Sequence, residues 1–227
     1  MTLGTVVVTG GASGLGAAVC AAVSEAGGRP VVLDRATPPG GVEHEVVDLA
    51  DGRAAEDAVR AVSQRAGGID AVVTCAGIDS CGGLGDVPAP EWERVVQVNL
   101  FGTVAVVRAA LPDLAARHGR VVTVASTLGL RGVGDATAYC ASKFGVVGFT
   151  RALAAETAGS VGVTLLLPGG MQTPFFDDRD EQYKPPPDLR LNAPEDVARA
   201  VVFALSQPPG CEVRELLVAP SVEGSWP

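Results

Sequence analysis

Apolar positions along this chain come in two patterns that take turns. Short continuous runs, rich in β-branched residues, predict strands at 5–9, 30–34, 45–47, 71–74, 120–125, 163–167 and 215–219. Stretches of helical spacing between them predict helices at 15–26, 52–65, 91–117, 137–157 and 194–206. This alternation predicts an α/β fold: a doubly wound, Rossmann-like parallel sheet with helices on both faces. Strands such as Thr5-Val6-Val7-Val8 lack a polar alternation, which suits a sheet buried on both sides. Ligands of such sheets bind beyond the carboxyl ends of the strands, so chemistry is expected where strands stop. No repeat or linker divides the chain, and residues 1–227 are expected to form a single domain.

Composition narrows the function classes. Hydrophobic residues make up 47% of the 227 and charged residues 19%, which fits one globule with a large core. A net charge of -9 argues against a nucleic-acid partner, whose phosphates need a basic face. No apolar run approaches the ~20 residues that span a bilayer, so no membrane partner is expected. The opening residues 1–8 lack the basic start and long apolar stretch of a signal peptide. Five cysteines without CxxC spacing predict free thiols in a reducing, cytoplasmic compartment, with Cys20 and Cys211 as packing residues. His44 and His118 have no second ligand near them in sequence, and no metal site is expected.

The candidate chemistry begins with Tyr139-Cys140-Ala141-Ser142-Lys143, which sets a phenol and an ammonium on one face of a helix. A phenol of ordinary pKa, about 10, is a poor base at neutral pH, and a neighbouring ammonium draws that value down. By itself the pair also fits a solvated helix. The first strand runs into Thr9-Gly10-Gly11-Ala12-Ser13-Gly14-Leu15-Gly16 and then a helix. Glycines there allow a tight turn and close approach of a pyrophosphate to the helix N-terminus. The second strand ends in Asp34, a carboxylate able to accept both hydroxyls of an adenosine ribose and to repel a 2′-phosphate. Ser13 adds no basic group for that phosphate, whereas Arg35 could pair with it. NAD is favoured over NADP on this balance. Asp48 either accepts from an adenine amino group or caps the following helix.

Thr9-Gly10-x-x-x-Gly14-x-Gly16, Asn99, Ser126, Tyr139-x-x-x-Lys143 and Pro168-Gly169-x-x-x-Thr173 stand in the order of the short-chain dehydrogenase/reductases. The chain resembles that family over nearly its whole length. The stretch 9–16 and Cys75-Ala76-Gly77-Ile78 look most like the NAD-dependent 3-hydroxyacyl-CoA and hydroxysteroid dehydrogenase branch. The resemblance implies that Tyr139 is the general acid/base and that Lys143 lowers its pKa and binds the nicotinamide ribose. It implies that Ser126 orients the substrate oxygen, Asn99 holds a water linking Lys143 to solvent, and Thr173 meets the carboxamide. Gly10, Ser13, Gly14, Leu15, Gly16, Leu49, Ala76, Gly77, Pro168 and Gly169 would line the dinucleotide site beside Asp34, Arg35 and Asp48. Plain structural readings stand beside these: Ser126 could cap a turn, Asn99 could satisfy a helix kink, and Thr173 could be loop surface. Cys75 departs from the asparagine many members carry, and reads as a small buried hydrophobe. The last strand, in 213–220, departs from the Val-Asp-Gly-Gly ending of many members.

Residues 174–193 are expected to form a substrate lid, with Phe175, Phe176 and Tyr183 as an apolar ceiling. Leu128, Leu130, Arg131, Val133 and Met171 would flank the reacting carbon, Arg131 either reading an anionic tail or standing in solvent. The expected substrate is a mainly apolar secondary alcohol or ketone, such as a hydroxyacyl or steroid-like compound. The rivals are an NADPH-dependent biosynthetic ketoreductase and a non-catalytic dinucleotide sensor. In the family the helices at 91–117 and 137–157 pair across a two-fold axis. This implies a homodimer or homotetramer, although the chain's own core must claim about half of Val104, Val107, Leu111, Val146, Val147, Phe149 and Leu153.

Overall fold

A computed structural model describes residues 3–224, so both ends of the expected domain, 1–2 and 225–227, lie outside the described residues. Each apolar run becomes a strand: β1 (Thr5–Thr9), β2 (Arg29–Asp34), β3 (His44–Val46), β4 (Ala71–Thr74), β5 (Arg120–Val124), β6 (Gly162–Pro168) and β7 (Glu215–Val218). They form one parallel sheet in the order β3-β2-β1-β4-β5-β6-β7, with Val7 beside both Val31 and Val72. The order reverses at β1 and β4, which opens a crevice above their carboxyl ends.

The helices are α1 (Gly14–Glu25), α2 (Gly52–Ala66), α3 (Ala89–Val96), α4 (Thr103–Arg117), α5 (Thr137–Glu156) and α6 (Pro194–Leu205). Successive strand residues point to opposite faces, so one strand feeds two cores. Val6 and Val8 pack with Val19 and Val23 of α1 and Val197 and Val201 of α6. Val7 packs on the other side with Val59 and Val62 of α2, Val107 and Leu114 of α4, and Leu153 of α5. Burial of β1 throughout explains its unbroken apolar sequence.

Three expectations need correction. The single helix expected at 91–117 is α3 and α4 joined through a π-helical turn, Gln97–Gly102. There Gly102 presses on Leu49, whose carbonyl oxygen would lie 2.8 Å from any added Cβ. The run Ala89–Arg117 reaches a mean hydropathy of 1.5 and has the length of a membrane span, yet half of that apolar window is buried in the protein. Asp48 does not cap α2. Asp51 does, accepting from the backbone N–H groups of Arg53 and Ala54 at 3.0 Å each. All five cysteines are free, but Cys211 is exposed rather than packed. The chain's own core takes Val107, Val146, Val147 and Leu153 from the apolar positions expected at a subunit interface.

Candidate active site

One cavity of about 640 Å³ runs across the carboxyl ends of the strands. Its first wall is the turn from β1 into α1. Gly10 holds φ +69, and a Cβ there would meet the Ala76 backbone at 2.8 Å. A Cβ on Gly16 would lie 2.2 Å from the Gly10 carbonyl oxygen, so helix and loop touch backbone to backbone. Ser13 is the N-cap of α1 and makes no side-chain capping bond, which leaves the cap N–H groups to the cavity. Asp34 stands at the end of β2, its two oxygens accepting from Ala12 N–H and Ala36 N–H at 3.0 Å each. Each oxygen keeps a second lone pair. Arg35 lines the same wall and is exposed. Asp48 accepts from Arg94 Nη2 at 2.7 Å and from Ala50 N–H at 3.0 Å. Leu15, Leu49, Ala76, Gly77, Pro168, Gly169 and Thr173 complete this part of the lining. Such a cradle, with its glycine contacts, helix start and ribose-level carboxylate, fits a nicotinamide dinucleotide.

The second half of the cavity holds the titratable pair. Tyr139 and Lys143 emerge from α5 toward the end of β5. Burial pushes the Tyr139 phenol up to about 12, and a hydrogen bond with the Ser126 hydroxyl pulls it back in part. Ser126 also caps the short 3-10 turn Thr127–Gly129, accepting from Leu128 N–H at 3.1 Å, so its turn-capping reading holds. Lys143 is 4% exposed and donates from Nζ to the Val124 carbonyl at 2.9 Å. Its burial brings the ammonium down to about 8. Nζ lies 5.6 Å from the Tyr139 ring centre and spends its hydrogen bond on the backbone.

Asn99 fits its plain structural reading, a residue at a helix irregularity. It sits in the π-helical turn, 1% exposed and outside the cavity lining. Its side chain accepts from Ile78 N–H at 2.8 Å and donates to Ile78 carbonyl at 2.9 Å and Ser142 Oγ at 3.0 Å. It braces the 75–78 turn through Ile78. Gly77 lies between the two polar groups: a Cβ there would stand 3.5 Å from Lys143 Nζ and 3.7 Å from Asn99 Oδ1.

Of the residues expected near the reacting carbon, Leu128 and Met171 line the cavity, whereas Leu130, Arg131 and Val133 do not. Arg131 donates to the Gly224 carbonyl at 3.2 Å. Phe175, Phe176 and Tyr183 line the cavity as well. Arg94, Lys184, Arg179 and Glu223 are charged residues of the lining that sequence reasoning did not single out. Arg179 lies within an acidic stretch, and Glu223, which accepts from Gly170 N–H at 3.0 Å, comes from far along the chain. No local motif marks either one.

Residues 4–184 match the short chain dehydrogenase family. The chain belongs to that family. It is 32% identical to 2-(S)-hydroxypropyl-CoM dehydrogenase 3 of Xanthobacter autotrophicus over 88% of this chain and 89% of that one. It is 31% identical over 96% of its length to glycine betaine reductase of Emericella nidulans, of which it spans 19%. Aldohexose dehydrogenase of Thermoplasma acidophilum superposes with a TM-score of 0.87 at 25% identity, covering 95% of this chain and 92% of that one. This short-chain dehydrogenase is thus an oxidoreductase of CH–OH groups that uses a nicotinamide dinucleotide.

Proposed function

We propose that this short-chain dehydrogenase moves hydride between NAD and a mainly apolar secondary alcohol/ketone pair. The observation that carries the NAD preference is Asp34, a carboxylate fixed by two backbone N–H groups on the cavity wall. Held there, it accepts ribose hydroxyls and repels a 2′-phosphate. In this reading Gly10, Ser13, Gly14, Leu15 and Gly16 hold the pyrophosphate, with Asp48, Leu49, Ala76 and Gly77 along the rest of the groove. Pro168, Gly169 and Thr173 flank the nicotinamide end. When bound, the cofactor supplies the acceptor or donor of hydride.

The chain's own residues handle the proton and the oxygen. Tyr139 Oη, protonated at neutral pH by its burial, gives a proton to the developing alkoxide in reduction and takes it back in oxidation. Ser126 aligns the substrate oxygen through the hydroxyl that meets Tyr139. Lys143 anchors the nicotinamide ribose, and Asn99, with Gly77 between them, would hold the water that links Lys143 to solvent. Leu128, Met171, Phe175 and Phe176 favour an apolar body next to the reacting carbon, in the manner of a hydroxyacyl or steroid-like compound. Residues 174–193 act as the lid of a single catalytic domain. Exposed Phe101 and Phe144 suit a homodimer or homotetramer, and free thiols suit a cytoplasmic setting.

Arg35 supports a second reading, an NADPH-dependent ketoreductase, because its guanidinium stands on the wall beside Asp34. Paired fluorescence titrations with NADH and NADPH separate the two. NAD use requires the tighter binding for NADH, and Asp34→Ala should weaken NADH about tenfold while sparing NADPH. Tighter NADPH binding by the wild type would transfer the selecting role to Arg35.

A further inference from the structure

Asp79 lies just past the 75–78 turn, its side chain 5% exposed, and Arg179 lies in the lid, its side chain 18% exposed. Arg179 Nη2 donates to Asp79 Oδ2 at 2.8 Å across 100 residues of sequence. The aspartate is held from its own loop too, accepting from Ser80 N–H at 2.8 Å and from Cys81 Sγ at 3.4 Å. Around the guanidinium, Cζ stands 4.8 Å from the Phe175 ring centre and 4.7 Å from that of Phe176. Nη1 donates to the Tyr183 carbonyl at 3.4 Å, and Nε is buried without a hydrogen-bond partner. Beyond one ion pair and one carbonyl, then, the aromatic faces are what hold this cation. Phe175 in turn packs on the Tyr139 ring at 5.7 Å between centres. A continuous line of contacts thus runs Asp79, Arg179, Phe175, Tyr139.

The energetics favour a two-position device. A mostly buried ion pair is costly to break on one side, because the surviving charge stays buried and unpaired. Around Arg179 the lid is acidic, with Asp177, Asp178, Asp180 and Glu181, and of its two other cations, Lys184 and Arg190, Lys184 is paired with Glu181 at 2.6 Å. We propose that the Asp79–Arg179 pair is a positioning latch that seats Phe175 and Phe176 over Tyr139 when the 174–193 lid closes. The proposal rests on Tyr139 being the proton-transfer group. The charges facing that phenol act in opposite senses. Asp79 raises its pKa and Arg179 lowers it, with Ser126 from the end of β5 lowering it and Cys140 on α5 raising it, while Lys143 stands off at 5.6 Å from the ring centre. Closing the lid brings two opposed effects to the phenol, the burial under Phe175 that raises its pKa and the Arg179 charge that lowers it.

A double-mutant cycle on the full chain tests the latch: Asp79→Asn, Arg179→Gln, the double variant, and Arg179→Lys as the conservative control. Hydrogen exchange of the 174–183 amides is the first readout, since it needs no substrate. Each single variant should speed exchange there about tenfold, the double no more than either single, and Arg179→Lys should recover part of the protection. The second readout is the pH profile with the secondary alcohol that the wild type oxidises best. Asp79→Asn should move it to lower pH, and KM should rise in both single variants. Unchanged exchange, singles whose effects multiply in the double, or faster exchange throughout the protein would each overturn the latch. A wild type that oxidises no alcohol while the cycle behaves as described would remove the catalytic reading and leave the latch standing.

Discussion

Lys143 shows how a single side chain can serve chemistry at the expense of the fold. Its ammonium, 4% exposed, is brought from an ordinary 10.5 to about 8, a difference of about 3 kcal/mol between its charged and neutral forms. The sign follows from linkage. Between those values the unfolded chain binds the proton and the folded chain does not, so the contribution of Lys143 is complete above 10.5 and is lost as pH falls through about 8. At neutral pH the buried charge therefore destabilises. Lys143→Met should lose turnover yet unfold at higher urea near pH 7, by up to about 3 kcal/mol less the lost hydrogen bond, with the gain fading toward about pH 10. Urea melts at the two pH values check this, and a variant less stable at both would contradict it. The i,i+4 spacing made Tyr139 and Lys143 legible as a pair. The turn of Nζ toward Val124 was not legible, because it depends on how α5 lies on β5. Asn99 was found by its place in the motif order, yet its partners Ile78 and Ser142 come together only through the π-helical turn.

At the level of elements, the β1–α1 turn was the most readable part of the chain, since a glycine run between strand and helix has few other uses. Its tolerance is small. Gly16→Ala would set a methyl group 2.2 Å from the Gly10 carbonyl and push α1 away from the loop. We expect a loss of about 1–3 kcal/mol of stability and at least tenfold weaker NADH binding, measured by melting and by fluorescence titration. Unaltered NADH affinity would place the dinucleotide elsewhere. The long helix at 91–117 was read correctly in extent and wrongly in form. Periodicity cannot report a π-helical turn, which here follows from Gly102 closing on Leu49. Asp79 and Arg179 carried no signal at all, for a pair 100 positions apart meets only after the lid folds over the sheet.

For the whole molecule, strand alternation gave the layered architecture, while the order of the strands and the crevice between β1 and β4 came from packing. The buried clusters leave Phe101 at 59% and Phe144 at 47% exposure. Contiguous exposed apolar area marks interaction sites, whereas single exposed apolar residues are ordinary. If a second copy covers both rings, the paired change Phe101→Glu and Phe144→Glu should shift the protein to monomer in light scattering, with cofactor binding kept. An unchanged mass would move the interface to another face.

The central claim is that Tyr139 moves the proton in a dinucleotide-dependent oxidation or reduction. The most direct measurement compares wild type and Tyr139→Phe for change in reduced-nicotinamide absorbance across a panel of secondary alcohols and ketones, with cofactor affinity measured alongside. The account requires wild-type turnover, a fall of about 10²-fold or more in the variant, and near-equal cofactor affinity in the two proteins. A variant that turns over at the wild-type rate would contradict it.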